Sequence, residues 1–397
     1  MVPINRNSRA GNRSLHASLL AMAQPTKGSG SARQIYLVDR RCLRKHGSIK
    51  ESENAPEMAK RRTANSKSPQ PTMHDVARIA GVSQMTVSRV MRASDYISKD
   101  VRKEVVRAAR EIGYVHNRLA GGSAAYDNPI VGVVVPTMQN RVFTEVLSGI
   151  NQTLDESGLR PVFGVSEYSL DAEEDLVFDL LSWRPRGLIL PGLEHTNSLR
   201  KIVMQTGVRV AEIMDTDGDP ISACFGISHL KAGEEMARYL IDRGYRTFGY
   251  VGSQHGLDLR AGKRFEAFAG IVREAGAQIV AIETTEKASS MDIGRTLTKR
   301  LLQRHPPPVA IYYANDDLAA GGLMHCLVED ISVPDQVALA GFNGLGFLAA
   351  LPKLITTTVT PRFEIGKAAS CWLMRPEDDP TEQRLELPAK LQIGQTT

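Results

Sequence analysis

The sequence predicts a small all-α head followed by a large α/β core with two doubly wound subdomains. Near Thr72, two short capped helices lie a few residues apart with a glycine between them. Beyond Pro129, short β-branched runs alternate with helical segments over about 250 residues. These runs are almost continuously apolar, as expected for parallel strands that are covered by helices on both faces. The composition, with 42% hydrophobic and 23% charged residues, is that of an ordinary globular protein.

The head is predicted to contain three helices. Thr72 and Asp75 form a capping box at the start of the first helix. Ser83 caps the second helix, which follows after a glycine turn. Ser98 caps a third, longer helix that ends at Gly113. The first two helices therefore form a helix-turn-helix motif.

Charge is distributed unevenly along the chain. Residues 1–68 carry a net charge of +10, residues 69–122 carry +4, and the remainder carries −9. Residues 1–68 show no helical or strand periodicity, so we expect a disordered basic extension, with Met58 as a candidate start. A basic N-terminal region followed by an acidic remainder indicates that a polyanion contacts the N-terminal third of the chain.

The core is predicted from its strands and helices. A small, polar segment at 117–128 is expected to be a hinge linker between the head at 69–116 and the core at 129–397. Helices are expected at Glu145–Ser157 and Ala232–Arg243. The predicted strands are Ile130–Val135, Gly187–Leu190, Val208–Ile213, Thr247–Val251, Val309–Ala314 and Val337–Phe342. We expect one subdomain at about 129–226 and 357–375 and a second at about 227–356 and 376–397.

Motifs of catalysis or metal binding are not found in the sequence. The cysteines, Cys42, Cys224, Cys326 and Cys371, show no pairing typical of a zinc site or a disulfide framework. No P-loop, nucleophile elbow or His-Glu-x-x-His motif is present. We therefore expect neither an enzyme nor a cofactor or metal. No apolar run approaches the length of a membrane span, and no convincing secretory signal is present, so a cytoplasmic location with no membrane partner is expected.

The segment from Thr72 to Val90, followed by Glu111–Asn117, resembles the DNA-binding head of the LacI family of bacterial transcription regulators. Further marks of that family are Ile130-Val-Gly-Val, Gly187-Leu-Ile-Leu, Tyr312-Tyr-Ala-Asn-Asp-Asp, Val337-Ala-Leu-Ala-Gly-Phe and Thr356-Thr-Thr-Val-Thr-Pro. Within the family, Asn140–Ile150 and Glu212–Asp215 look most like the repressors of gluconate utilisation. The resemblance implies a core similar to the periplasmic sugar-binding proteins.

The resemblance also implies DNA-contacting residues. Gln84, Met85 and Arg89 on the second helix would read bases, and Arg89 can form paired hydrogen bonds with guanine. Met85 offers only apolar contact, for example to a thymine methyl group. The alternative for these three is a solvated helix face. Contacts to phosphate are expected from the hydroxyl residues Thr72, Ser83, Thr86 and Ser88.

In the family the linker folds into a hinge helix on DNA. Asn117 and Ala120 keep the family pattern, and Leu119 is a candidate for a shifted minor-groove wedge. This sequence departs from the pattern at His116, where proline is usual, and at 121–123, where Gly-Gly-Ser replaces helix formers. Two glycines cost about 2 kcal/mol of helix propensity relative to alanine, so a weak hinge is one outcome.

The effector pocket is expected at the carboxyl ends of the core strands. By family position Asn315 contacts a ligand hydroxyl, whereas a helix N-cap is an equal alternative for Asp316. Asn343 replaces an aspartate of the sugar-binding relatives, which suits an anionic ligand, and Arg260 or Lys263 would pair with its carboxylate. Other candidates near the cleft are Asn140, Phe143, His195, Glu212 and Asp215, and Ser228 and His229 replace the usual Asp-Asn pair.

These features predict a homodimeric repressor that binds double-stranded operator DNA and senses a sugar acid such as gluconate. Ligand is expected to close the two subdomains and lower the affinity for the operator. A second hypothesis is a regulator of the same family that responds to a phosphorylated or neutral metabolite, as an activator or a corepressor-dependent repressor. A third, a solute-binding protein with the same core, is opposed by the capped head at Thr72–Gly113.

Overall fold

The structure is a computed structural model that describes residues 71–91, 97–116, 128–254, 256–376 and 383–397. The predicted extension at 1–68 lies outside these residues. The predicted hinge residues Asn117, Leu119 and Ala120 also lie outside them.

The head consists of helices α1 (Met73–Ile79), α2 (Gln84–Met91) and α3 (Lys99–Ile112). Its predicted caps are confirmed. The Thr72 capping box is complete, Ser83 Oγ accepts the Thr86 N–H at 3.1 Å, and Gly113 ends α3 in the left-handed conformation. The helices enclose a small apolar core of Val76, Ala77, Val87, Val90, Val105, Ala108 and Ala109.

The first sheet of the core has the strand order β11-β5-β4-β3-β1-β2, and each neighbouring pair of these strands is parallel. Alternate residues of β1 face opposite layers, since Val131, Val133 and Val135 belong to one apolar cluster and Val134 to another. The strands are β1 (Ile130–Val135), β2 (Arg160–Val165), β3 (Gly187–Pro191), β4 (Val210–Ile213), β5 (Ala223–Gly226) and β11 (Arg384–Glu386). The helices are α4 (Arg141–Glu156), α5 (Leu170–Leu181), α6 (Asn197–Thr206) and α11 (Arg362–Met374).

The second sheet has the order β12-β10-β9-β8-β6-β7, with only β12 antiparallel to its neighbour. One large apolar cluster fills this subdomain. Its strands are β6 (Thr247–Ser253), β7 (Gln278–Thr285), β8 (Val309–Tyr313), β9 (Val337–Asn343), β10 (Thr356–Val359) and β12 (Lys390–Gln392). Its helices are α7 (His229–Asp242), α8 (Leu259–Glu274), α9 (Met291–Arg304), α10 (Asp316–Val328) and a short 3₁₀ helix at Gly346–Ala350.

The predicted fold class, an all-α head with two doubly wound subdomains, is confirmed. Two boundaries within the core differ from the prediction. β10 pairs with β9 in the second sheet, although 357–375 were assigned to the first subdomain. β11 pairs with β5 in the first sheet, although 376–397 were assigned to the second. β11 is a short, charged, exposed strand at a sheet edge, so it lacks the apolar run that would have revealed it.

Helix α11 packs into the apolar cluster of the first subdomain. It packs closely against α4 through glycines on both helices. A Cβ at Gly149 would lie 2.2 Å from the Phe363 carbonyl oxygen, and one at Gly366 would lie 2.2 Å from the Val146 carbonyl oxygen. The helices can therefore approach this closely only with glycine at both positions.

Candidate functional site

The exposed face of α2 carries the three predicted base-reading side chains. Met85 is 60% exposed, and Gln84 and Arg89 are also exposed. Val87 and Val90 on the opposite face are buried in the head. Met85 and Arg89 lie one helical turn apart and therefore form neighbouring parts of one surface. The geometry thus presents these side chains to a partner, while base reading stays a prediction.

The predicted phosphate contacts differ in their availability. The Thr72 hydroxyl donates to Asp75 Oδ2 at 2.7 Å, and this bond is the main cause that lowers the pKa of Asp75. A hydroxyl committed to a carboxylate is a poor donor to phosphate. The Ser83 and Thr86 hydroxyls lie 2.9 Å apart, so one donates to the other and the second proton is left for another acceptor. Ser88 is half-buried on α2.

A cavity of about 40 Å³ lies between the subdomains at the carboxyl ends of β1, β2 and β3. Arg260, on the first turn of α8, is contributed by the second subdomain. Its side chain is 13% exposed, and Asp258 Oδ1 lies 3.8 Å from its Nε. The other walls are Pro136, Ser166, Tyr168, Ser169, Leu170, Glu173, Pro191, Glu194, Leu257 and Leu259. Hydroxyl and carboxylate groups therefore face one guanidinium.

Tyr168 connects the cavity to a predicted candidate. Burial raises the pKa of Tyr168 to about 12, so it remains a neutral phenol that can donate a hydrogen bond. The Asn140 side chain, which caps α4 by accepting the Val142 N–H at 3.0 Å, is hydrogen-bonded to Tyr168. Asn140 therefore positions a residue of the cavity wall.

Lys263 joins the two subdomains across the cleft. Its Nζ lies 2.6 Å from Asp215 Oδ2, 2.6 Å from Glu194 Oε1 and 2.9 Å from the Asp217 carbonyl oxygen. Burial acts to raise the pKa of Glu194, but the Lys263 ammonium outweighs it and the pKa is lowered. Lys263 was predicted to pair with a ligand carboxylate, and in this structure its charge is already balanced by two carboxylates of the protein.

His195 lies directly behind the cavity wall, with its side chain fully buried. Its Nδ1 lies 2.5 Å from Glu173 Oε1, and its Nε2 lies 3.3 Å from Glu212 Oε1. Burial acts against the charged form, but these two carboxylates prevail and raise the pKa of His195 to about 9. At neutral pH an imidazolium therefore lies between two carboxylates. Since Glu173 lines the cavity, His195 neutralises a wall residue rather than lining the cavity itself.

Several predicted effector residues lie outside the cavity wall. Asn315 caps α10, accepting the Leu318 N–H at 3.2 Å and donating to Ser289 Oγ at 2.6 Å. Asp316 is fully buried, and its carboxylate accepts from the Thr357 hydroxyl at 2.6 Å. It also accepts the Leu345 N–H at 2.8 Å, so this arrangement favours a structural role for Asp316.

Asn343 and Phe143 are likewise placed away from the cavity wall. Asn343 ends β9 with a φ of +115°, and its carbonyl oxygen accepts from Arg362 and Thr360. Phe143 is 3% exposed in the apolar cluster of the first subdomain, where packing accounts for it. Of the eight predicted effector residues, Arg260 lines the cavity, while Tyr168, Glu173 and Glu194 were not predicted as effector contacts.

A second polar contact joins the subdomains at His229. Arg264 donates from Nη1 to His229 Nδ1 at 2.9 Å, and His229 Nε2 lies 2.8 Å from the Met214 carbonyl oxygen. Because a guanidinium only donates, Nδ1 is the acceptor and Nε2 carries the proton. Burial and the Arg264 charge lower the pKa of His229 well below its usual value. His229 is therefore neutral, and it has a partner on each nitrogen.

Within the described ranges, no helix combines the length and the apolar character needed to cross a membrane. The same residues contain no cluster of three or more His, Cys, Asp or Glu side chains that could hold a metal ion.

The head and part of the core each match the model of a known protein family. Residues 72–117 match the model of bacterial regulatory proteins of the lacI family, and residues 237–397 match a periplasmic binding protein-like domain. The HTH-type transcriptional regulator GntR of Pseudomonas aeruginosa is 38% identical over 302 residues, which cover 76% of this chain and 87% of that protein.

Solved structures show the same likeness. A LacI family transcriptional regulator from Silicibacter pomeroyi shares 42% sequence identity, with a TM-score of 0.67 over 82% of this chain and 99% of that one. The transcription regulator GntR from Chromobacterium violaceum shares 32% identity, with a TM-score of 0.64 over 67% of this chain and 98% of its own.

Proposed function

This chain belongs to the LacI family of bacterial transcriptional regulators, and we propose that it is a repressor that releases its operator when a sugar acid such as gluconate binds. Its relatives are regulators, and the chain is a DNA-binding regulator and not an enzyme. The proposal adds three things to family membership: the class of effector, the sign of the response, and residues 69–116, 117–128 and 129–397 as head, hinge and core of a homodimer.

The observation that carries the effector class is the charge of the cavity wall. Among the lining residues that the structure describes, Arg260 is the cation, and its Nε lies 3.8 Å from Asp258 Oδ1, whereas Lys263 is bridged by Glu194 and Asp215 at 2.6 Å. One guanidinium suits one carboxylate, with which it can form paired hydrogen bonds. A phosphate ester carries more charge at neutral pH and calls for more cationic donors. This inventory favours a singly charged acid over a phosphorylated metabolite.

The remaining walls suit a polyhydroxylated chain. Ser166, Tyr168 and Ser169 offer hydroxyl groups, and Glu173 offers a carboxylate acceptor. His195 balances the charge of Glu173, which lessens its repulsion of an anionic ligand. Together with the resemblance to repressors of gluconate utilisation, this supports gluconate as the first ligand to test.

Ligand binding must change the spacing of the two subdomains. The cavity of about 40 Å³ is far smaller than the roughly 300 Å³ that is the lower end for ligand pockets. Entry of a sugar acid therefore has to widen the cleft, and the contacts of Lys263 with Glu194 and Asp215 lie across that opening. We propose that this rearrangement, rather than simple closure, changes how the heads are presented to DNA.

Calorimetric titration of the full chain with gluconate, phosphogluconate and glucose tests the effector class. We expect saturable binding of gluconate alone, and Arg260→Ala should abolish it because the carboxylate loses its partner. Arg273→Ala is the matched control, since Arg273 lies near the other end of the same helix and is exposed. Binding of phosphogluconate or glucose without gluconate would overturn the sugar-acid proposal and favour the second hypothesis.

The response is tested with palindromic DNA that the wild-type protein selects from a randomised pool. We expect gluconate to weaken binding to this DNA, and Arg89→Ala to lose the selected sequence preference while the affinity for gluconate is kept. Stronger binding of DNA in the presence of gluconate would show a corepressor-dependent regulator instead.

A further inference from the structure

The end of α3 contacts the first core subdomain through charged side chains. Arg110 forms an ion pair with Asp175 on α5, and its Nη1 lies 3.6 Å from Glu174 Oε1. The Arg110 guanidinium also lies 5.4 Å from the centre of the Phe178 ring. On α6, the Lys201 Nζ donates to the Glu111 carbonyl oxygen at 2.8 Å. The head therefore docks on α5 and α6 by charge, a ring face and a helix-end carbonyl.

The same turn of α5 reaches the cavity on its other side. Glu173 lines the cavity and pairs with His195, while the next two residues, Glu174 and Asp175, pair with Arg110. Glu174 also accepts from the Thr196 hydroxyl at 2.6 Å, and Thr196 directly follows His195. Glu174 is thus next in sequence to a wall residue and bonded to the neighbour of His195, and Asp175 follows it on the same turn of α5.

We propose that the first two turns of α5 and of α6 are the docking surface through which the effector acts on the head. The inference rests on the proposed function, since it requires an effector in the cavity. A ligand that shifts Glu173 also shifts Glu174 and Asp175, because consecutive residues of one helical turn move as a rigid unit. The effector changes the affinity for DNA because the docking contact differs between the bound and free states.

The chain offers a matched control on the same helix. Arg107 lies one turn before Arg110 and pairs with Glu104 at 2.5 Å and with Glu111 at 2.9 Å. Glu104 and Glu111 belong to α3, whereas Glu174 and Asp175, which pair with Arg110, belong to the core. Arg107→Ala and Arg110→Ala remove the same charge, but only the second breaks a contact between the head and the core.

The test compares affinity for the selected palindromic DNA with and without gluconate in wild type, Arg107→Ala and Arg110→Ala. Couplings in allosteric proteins are typically about 5- to 150-fold. We expect gluconate to weaken DNA binding by a factor in this range in wild type and in Arg107→Ala. In Arg110→Ala, the DNA affinities with and without gluconate should differ by less than about twofold. Calorimetric titration should show saturable gluconate binding in all three proteins, since none of the changes touches the cavity.

Two further readouts separate this inference from the proposed function. The charge swap Arg110→Asp with Asp175→Arg should restore coupling, and hydrogen exchange in the last turn of α3 should rise in Arg110→Ala only. Full coupling in Arg110→Ala would overturn the inference and leave the proposed function intact. If wild type does not bind gluconate, the proposed function fails. Docking is then judged by exchange alone, and unchanged exchange in Arg110→Ala would overturn it.

Discussion

Two buried histidines at the strand ends of the core are held in opposite charge states. His195 lies between the carboxylates of Glu173 and Glu212, whereas His229 lies between the Arg264 guanidinium and the Met214 carbonyl oxygen. Both side chains are inaccessible to water, so burial alone cannot explain the difference. The neighbouring carboxylates make His195 an imidazolium, whereas the neighbouring guanidinium keeps His229 neutral.

The difference matches what each region does. The His195 cluster borders the cavity, where its imidazolium offsets part of the charge of the two neighbouring carboxylates. The His229 cluster joins the subdomains through hydrogen bonds of a neutral imidazole, whose strength varies little with pH above the low pKa of His229. Burial therefore sets the energetic cost of a charge at each site, and the neighbouring groups decide whether the histidine ring is charged or neutral.

The largest expected difference between the two sites is the loss of stability when each histidine ring is removed. His195→Leu leaves Glu173 and Glu212 buried without their cation, and losing one partner of a buried pair costs about 3 to 5 kcal/mol. His229→Leu leaves an N–H donor on Arg264 and the Met214 carbonyl unpartnered, at a cost of about 2 kcal/mol. Urea denaturation at neutral pH measures both free energies of unfolding. Equal losses would show that charge state does not distinguish the two sites.

A smaller effect is expected in the dependence of stability on pH. The pKa of His195 is raised from 6.5 to about 9, so its stabilisation is complete below pH 6.5 and is lost as the pH rises through about 9. The loss is on the order of 3 kcal/mol. His229 acts in the opposite direction, because its pKa is lowered and acidification below pH 6.5 favours the unfolded chain.

Carbon-13 resonances of the labelled histidine rings measure the two titrations directly. The signal that is missing in His195→Gln or in His229→Gln identifies the resonance of that residue. We expect the His195 signal to titrate with a midpoint near 9, and the His229 signal to remain that of a neutral ring down to the start of acid unfolding. A His195 midpoint close to 6.5 would contradict the description of the cluster as an ion pair.

The sequence predicted the architecture better than it predicted the cavity. Continuous apolar runs such as Ile130–Val135 identified the central strands, and capping residues identified the helices of the head. β2 was missed because Pro161 and Gly164 interrupt its apolar pattern. The cavity residues Ser166, Tyr168 and Glu173 follow β2, so they were missed with it.

The charge clusters could not be predicted, because their members are distant in sequence. His195 and Glu173 are 22 positions apart and meet only because α5 and the end of β3 are neighbours in the fold. No spacing rule links such residues. The position of Asp316 after a strand suggested a ligand contact or a helix N-cap, and only the bonds to Thr357 and Leu345 show how its carboxylate is occupied.

The smallest expected effect is that of Glu212→Gln, which tests whether the His195 site can be made to resemble the His229 site. Glu212 Oε2 accepts the Ile221 N–H at 2.6 Å, and a glutamine can keep this bond with its carbonyl oxygen. Its amide then faces His195 Nε2 as a donor, so Nε2 must become an acceptor while Nδ1 still donates to Glu173. That arrangement, one donor and one acceptor, is the one His229 has.

We therefore expect Glu212→Gln to lower the pKa of His195 towards 6.5 and to flatten the alkaline loss of stability. The change in the free energy of unfolding at neutral pH should be only about 1 kcal/mol, since a 3.3 Å contact between opposite charges is exchanged for a contact with a neutral amide. The same carbon-13 titration and urea series measure both quantities. Glu235→Gln, at an exposed position of α7, is the control for loss of one negative charge. A His195 pKa that stays near 9 in Glu212→Gln would assign the whole stabilisation of the imidazolium to Glu173.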